Sequence, residues 1–189
     1  MSKQALLIPL LAAGLLAGCG KGPGDAAINL GDTSIADGAI KLRHGEVALH
    51  AQGAPEAVID AAGTLRIGGQ AIATTPAQRA QIQRYYRNAL AVREHGIATG
   101  KAGAAVAGQA VASTLKGLAS GNTDQIDKDV DASAEKVQQA ALKICDDLDG
   151  IKAAQDDLAG QLAAFKPYAG LIGAGDVKEC RQDDDDKDD

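Results

Sequence analysis

Gly63-Thr64-Leu65-Arg66-Ile67-Gly68-Gly69-Gln70-Ala71-Ile72-Ala73-Thr74-Thr75-Pro76-Ala77-Gln78 is where the chain changes character. Up to Ala73 the residues read as short strands. Thr64 to Ile67 and Gln70 to Ala73 flank Gly68-Gly69, a pair able to take the left-handed turn that a tight hairpin needs. After Thr74 the signals are helical. Thr75 suits an N-cap, Pro76 suits the first helical position, and Gln78 completes a capping box in which each side chain satisfies the other's backbone N–H.

Upstream of this junction, residues 27–74 carry strand and turn signals in alternation. Ala39 to Arg43 and Glu46 to His50 flank the two-residue turn His44-Gly45. Ala57 to Asp60 leads through Ala61-Ala62-Gly63 into Thr64 to Ile67. The expectation is an antiparallel β-meander.

Downstream, residues 75–168 read as a helical hairpin. The first helix presents Ile82, Tyr85 or Tyr86, Ala89 and Val92 on one stripe and is expected to run to about Ala119. Ser120-Gly121-Asn122 breaks it, and Asn122 with Gln125 forms a second capping box. The second helix carries Ile126, Val130, Ser133, Val137, Ala141, Ile144, Leu148, Ile151, Gln155, Leu158, Leu162 and Phe165 at spacings of three and four. That is the rhythm of a helix packed lengthwise on another. Pro167 is expected to stop it. With the turn near Gly121, Val137 and Ile144 face the small residues Ala98 to Ala105. The fold class is therefore α+β, an N-terminal antiparallel β-meander followed by a long antiparallel helical hairpin.

The glycines of the first helix need a cause, because each costs roughly 1 kcal/mol against Ala in a helix interior. Gly96, Gly100, Gly103 and Gly108 admit three readings. Small residues let the second helix approach closely, or the helix breaks near Gly96 to Gly103, or the small-residue face inserts or self-associates at the membrane. The 14 residues from Ala102 to Leu115 are uncharged, fewer than the ~20 that a helical span requires.

The N-terminus reads as an address. Ala5 to Ala17 is an apolar run of 13 residues, interrupted by Pro9 and Gly14. It is too short to span a bilayer and has the length of a signal-peptide core. Leu15-Leu16-Ala17-Gly18-Cys19 follows in register and resembles a bacterial lipobox. Cleavage is expected between Gly18 and Cys19, with diacylglycerol on the Cys19 thiol. Each buried CH₂ adds about 0.8 kcal/mol, so two or more acyl chains anchor firmly. Residues 1–18 would then be the signal peptide and residues 19–26 a lipid-proximal linker. Gly20, rather than Asp, after the lipidated Cys implies delivery to the outer membrane, facing the periplasm.

Composition narrows the functions. Apolar residues make up 46% and aromatics 2%, with a formal charge of −6 and a pI near 5.0. Such a chain lacks the basic face and stacking aromatics of a nucleic-acid binder. Asp127, Asp129 and Asp131 imitate the start of a calcium loop, but Ala132 stands where Gly is needed and Gln138 where Glu is needed. His44, His50 and His95 have no zinc spacing, and no nucleophile or nucleotide motif is present. No catalytic residue, metal ligand or cofactor is assigned.

With Cys19 taken by lipid, two thiols remain for an oxidising compartment. Chain reach permits Cys145 and Cys180 to pair as a structural disulfide; the alternative is a helix-buried Cys145 and an unrelated Cys180. Residues 169–189 are expected to form a C-terminal segment ending in a disordered acidic tail from Gln182.

Val58-Ile59-Asp60, Gly63 to Gly69, Gln78-Arg79 leading to Tyr85, and Ile144-Cys145 followed by the charged helix to Phe165 together resemble the YggN-like family of envelope proteins. The resemblance covers residues 55–166. It implies a periplasmic setting and a β-hairpin followed by long helices, and it transfers no catalytic residue. The lipobox and the glycine-rich stretch depart from the family pattern. The functional expectation is a non-enzymatic envelope lipoprotein, held to the membrane by its N-terminal lipid. Its helices would contact an envelope protein or a second copy. The alternative is a binding module for a small or lipidic ligand in an Ala/Gly-lined groove between helices and sheet.

Overall fold

In a computed structural model, which describes residues 32–120 and 124–185, six short strands form one antiparallel meander. They are β1 (Asp32–Ile35), β2 (Ile40–Arg43), β3 (Glu46–Leu49), β4 (Ala57–Ile59), β5 (Leu65–Ile67) and β6 (Gln70–Ala71), paired in chain order. The turns explain the register. His44 and Gly45 both have positive φ, +50° and +78°, so Arg43 lies opposite Glu46. Gly68 and Gly69, at +56° and +81°, place Ile67 opposite Gln70 in the same way. β1 is a strand that the local pattern did not mark. It pairs along β2 through a turn in which Ala36, Asp37 and Gly38 are all left-handed.

The strands are followed by α1 (Pro76–Ser120) and α2 (Asp124–Gln161), packed against each other. The Thr75–Gln78 capping box is formed, with the Thr75 N–H donating to Gln78 Oε1 at 2.9 Å and the Gln78 N–H donating to Thr75 Oγ1 at 3.2 Å. The Gln78 amide also donates to the carbonyl of Gln161, the last residue of α2 (2.8 Å). Gln78 on Gln161, Asn88 beside Gly150 and His95 on Asp147 step along the two helices in opposite directions, as an antiparallel hairpin requires.

α2 ends earlier than its heptad rhythm suggests. Leu162 is extended (φ −131°, ψ 103°), and a 3₁₀ turn, Ala163–Tyr168, follows with Pro167 inside it. The break redirects the chain so that Phe165 and Tyr168 both reach the core, whereas a continuing helix would carry them past it. Phe165 meets Tyr85 edge to face, with centroids 6.2 Å apart, and tilts against Tyr168 at 5.6 Å. α3 (Ala174–Asp185) is a further correction: the segment expected to begin a disordered tail at Gln182 is helical as far as Asp185.

One core joins these elements. Ile40, Leu42, Val47, Leu49, Ile59 and Leu65 of the sheet pack with Ile82, Tyr85 and Ala89 of α1 and with Ile151, Ala154 and Leu158 of α2. Each large aliphatic side chain here contributes roughly 1.5–3 kcal/mol of burial. Gly63 docks the β4–β5 turn on α1. Its φ is +78°, and a Cβ there would lie 2.7 Å from Arg79 Cγ and 2.8 Å from Gln83 Cγ.

Burial stops partway along the hairpin. Among described side chains, Val92 is the last buried residue of α1 and Cys145 the first of α2. Residues 93–120 of α1 extend about 42 Å. This distal hairpin has α1 and α2 packed together and no sheet beneath them.

Candidate functional site

The lipobox with Gly18 and Cys19, the linker and Asn122 lie outside the described residues. The other predicted positions can be placed. Cys145 of α2 and Cys180 of α3 form a disulfide, with Cα atoms 5.7 Å apart. Its role is structural: it clips α3 to α2, alongside an Arg181–Asp146 ion pair of 2.9 Å.

A second device fixes the chain leading into α3. Gln155 is fully buried. Its amide nitrogen donates to the carbonyls of Ala169 (2.6 Å) and Ile172 (2.9 Å), and its Oε1 accepts the Ile172 N–H at 3.1 Å. A polar residue on the apolar stripe of α2 is thus the latch for residues 169–172.

Between this clipped segment and the β1–β2 turn lies a groove of about 410 Å³. Ile35, Leu148, Leu171 and Ile172 supply apolar wall. Asp37 comes from the turn, and Asp176 and Glu179 come from α3, with Cys180 behind them. No ion pair reaches Asp37, Asp176 or Glu179 among the described residues. Asp176 accepts the Gly173 N–H at 2.7 Å, so it also closes the start of α3. This groove is not the Ala/Gly-lined one expected from the sequence. Asp37 falls in the expected β-meander and Asp176 and Glu179 in the C-terminal segment ahead of the expected tail; Asp176 and Glu179, three apart, are the available sign of a helical face.

His95 and Asp147 are the one His–carboxylate pair that joins the two helices among the described residues (Nδ1···Oδ2 2.5 Å). His95 is 35% exposed and Asp147 13%. The hairpin register already implied this pair, since a turn near Gly121 sets residue 95 opposite residue 147. Neither residue lines the groove. The nearest hydroxyl in sequence, Thr99 Oγ1, donates to the His95 carbonyl (2.8 Å). The pair ties α1 to α2 as an interhelical clamp.

His50 Nε2 lies 2.8 Å from Glu56 Oε2, and Arg43 reaches the same carboxylate at 2.7 Å. His44 occupies its expected turn. Among the described residues no three His, Cys, Asp or Glu side chains gather to hold a metal. Residues 127–131 lie within α2, a helix and not a calcium loop.

The structure bears on two of the three readings of the glycine-rich stretch. α1 is continuous from Pro76 to Ser120, so there is no break. Close packing is not seen among the described residues: a Cβ added at Gly96, Gly100, Gly103 or Gly108 would meet no described atom within 4 Å. The close approach between the helices is elsewhere, at Gly150, where a Cβ would lie 2.6 Å from the Asn88 amide nitrogen. Val111, in the same distal stretch, is 64% exposed. No helix among the described residues is long and apolar enough to cross a membrane. No family model, characterised protein or solved structure matches the chain.

Proposed function

We propose that this chain is a non-enzymatic bacterial envelope lipoprotein, anchored through lipid on Cys19 to the periplasmic face of the outer membrane. Its distal helical hairpin is an arm that contacts another envelope protein or a second copy. Membership of the YggN-like family belongs to the same proposal and is supported by the order of sheet and long helices.

The observation that carries the reading is the set of open glycines. Four helix-interior glycines cost roughly 4 kcal/mol together against Ala, and no described atom of the chain fills the space beside them. A surface approaching from outside would use that space: small residues let a partner backbone come close. The sheet and proximal helices form the base that holds the arm.

The test is a photo-crosslinking amino acid at Ala107 or Val111 in intact cells, paired with mass analysis of the processed N-terminus. A discrete adduct from the arm, absent when the crosslinker is placed at exposed Asp156 or Gln70, supports the reading. A bare Cys19 thiol with release into plain buffer removes the anchor, and an arm that captures nothing removes the partner.

A second reading, a binding module for a small envelope ligand, is supported by a separate observation: the groove beneath α3.

A further inference from the structure

We propose that the groove between the β1–β2 turn and α3 binds an organic cation with an aliphatic body, of which a protonated alkylamine is the simplest member. This rests on the ligand-binding reading and narrows it to a chemical class; the arm and its partner do not enter it.

The volume comes first. A groove of about 410 Å³ falls in the range of small-molecule sites, which are concave and mostly apolar with a few placed polar groups. Its floor is aliphatic. Ile35 and Ile172 are almost fully buried, and Leu148 and Leu171 are half-buried beside them. Such a surface takes a hydrocarbon chain and gives it no directional bonds.

The charge decides the headgroup. Three carboxylates stand on the rim from opposite sides, Asp37 on the sheet side and Asp176 and Glu179 on α3. None has a cationic partner among the described residues, and the nearby Arg181 is engaged with Asp146. Asp176 and Glu179 are three apart on one helical face, where like charges repel. A cation seated between the two sides relieves that repulsion, and an anion adds to it. A fatty carboxylate is therefore the wrong lipidic ligand for this groove.

The walls are also fixed in advance. The disulfide to Cys145 and the Gln155 latch on Ala169 and Ile172 hold α3 and the segment before it against α2. A site whose walls are already ordered loses little entropy on binding.

The experiment is an amide NMR titration of the full, disulfide-bonded chain at pH 7 with octylammonium, octanol and octanoate in parallel. Octylammonium is expected to shift the signals of Ile35 to Asp37, Leu148, Ile172 and Glu179, with an affinity roughly fivefold or more above that of octanol. Octanoate is expected to leave those signals in place. The double variant Asp37→Asn, Glu179→Gln alters exposed side chains that make no ion pair among the described residues, and Asn is at home in the left-handed conformation of residue 37. With only Asp176 left on the rim, it is expected to cut the preference for the cation sharply while retaining the spectrum of the fold. Octanol binding as tightly as octylammonium at these residues overturns the cation class and leaves a ligand groove standing. Silence towards all three compounds overturns both, and a cation preference that is undiminished in the double variant overturns the assignment to this rim.

Discussion

Two buried polar side chains of similar exposure make opposite predictions. Gln155 is fully satisfied by the backbone of residues 169 and 172. Gln155→Leu keeps the volume and strands two carbonyls and one N–H, a loss of about 2–4 kcal/mol in urea unfolding. Tyr85 is as deeply buried, but its hydroxyl has no partner among the described residues, and burial alone pushes its ionisation well above the usual phenol range. Tyr85→Phe is expected to leave stability unchanged or raise it by up to about 1 kcal/mol, while Tyr168→Phe, which loses a hydrogen bond to the Pro55 carbonyl, costs about 1 kcal/mol. A Tyr85→Phe variant clearly less stable than the parent would mean that the hydroxyl is satisfied after all. Asp60 gives the pH dependence. Burial raises its pKa, but the Thr64 N–H at 2.9 Å, the Thr64 hydroxyl, the Ala62 N–H and the Arg66 guanidinium outweigh burial and hold it below 3.8. A carboxyl with a depressed folded pKa stabilises the fold at pH values above its unfolded value, and that contribution is lost as the pH falls through the folded value. Acid titration of Asp60→Asn should therefore lack part of the stability loss that the parent shows below about pH 4.

At the scale of elements, two kinds of glycine separate cleanly. Gly63 and Gly69 share a left-handed backbone, but only Gly63 has helix atoms where a Cβ would go. Gly69→Ala should cost about 1 kcal/mol for conformation alone. Gly63→Ala should cost clearly more, because Arg79 and Gln83 must yield and the turn lifts from α1. Equal losses in thermal unfolding would show that this contact does not hold the sheet to the helix. The arm glycines behave in reverse. Gly100→Ala and Gly108→Ala have room and should slow amide exchange in the arm, gaining about 0.5–1 kcal/mol each locally, while weakening any adduct formed there. These contrasts also show what a linear chain discloses. The capping box at Thr75 and Gln78, the turns at His44-Gly45 and Gly68-Gly69 and the stripe from Ile144 to Leu158 are legible because each depends on neighbours within a few residues. The end of α2 at Gln161, the strand β1 and the helicity of α3 are set by distant partners: the aromatic cluster, the β2 edge and the disulfide. The glycines of α1 leave several readings open in the sequence for the same reason, since spacing marks small residues without saying which way they face. The groove fell outside the reading altogether, because its acidic rim is assembled from residues 37, 176 and 179, far apart in the chain.

For the whole molecule, stability should be uneven, high where sheet, α1 and α2 share a core and low along the arm, where no described side chain is buried. The disulfide sits at the boundary between these regions, since Cys145 is the first buried residue of α2. That position decides what its removal does. The bridge closes a separation of 35 residues, for which the chain-entropy model gives a stabilisation of about 4 kcal/mol. All of the enclosed chain, from the Gln155 latch through the 3₁₀ turn to α3, belongs to the base, and none of it to the arm. The double variant Cys145→Ser, Cys180→Ser should therefore lower the urea midpoint of the base and speed amide exchange in α3 first, because α3 then keeps one described ion pair to α2, Arg181–Asp146. Exchange in residues 96–113 should stay as it was. If the arm instead loosens together with α3, the two regions unfold as one cooperative unit, and an independent arm carried on a rigid base is the wrong description of this molecule.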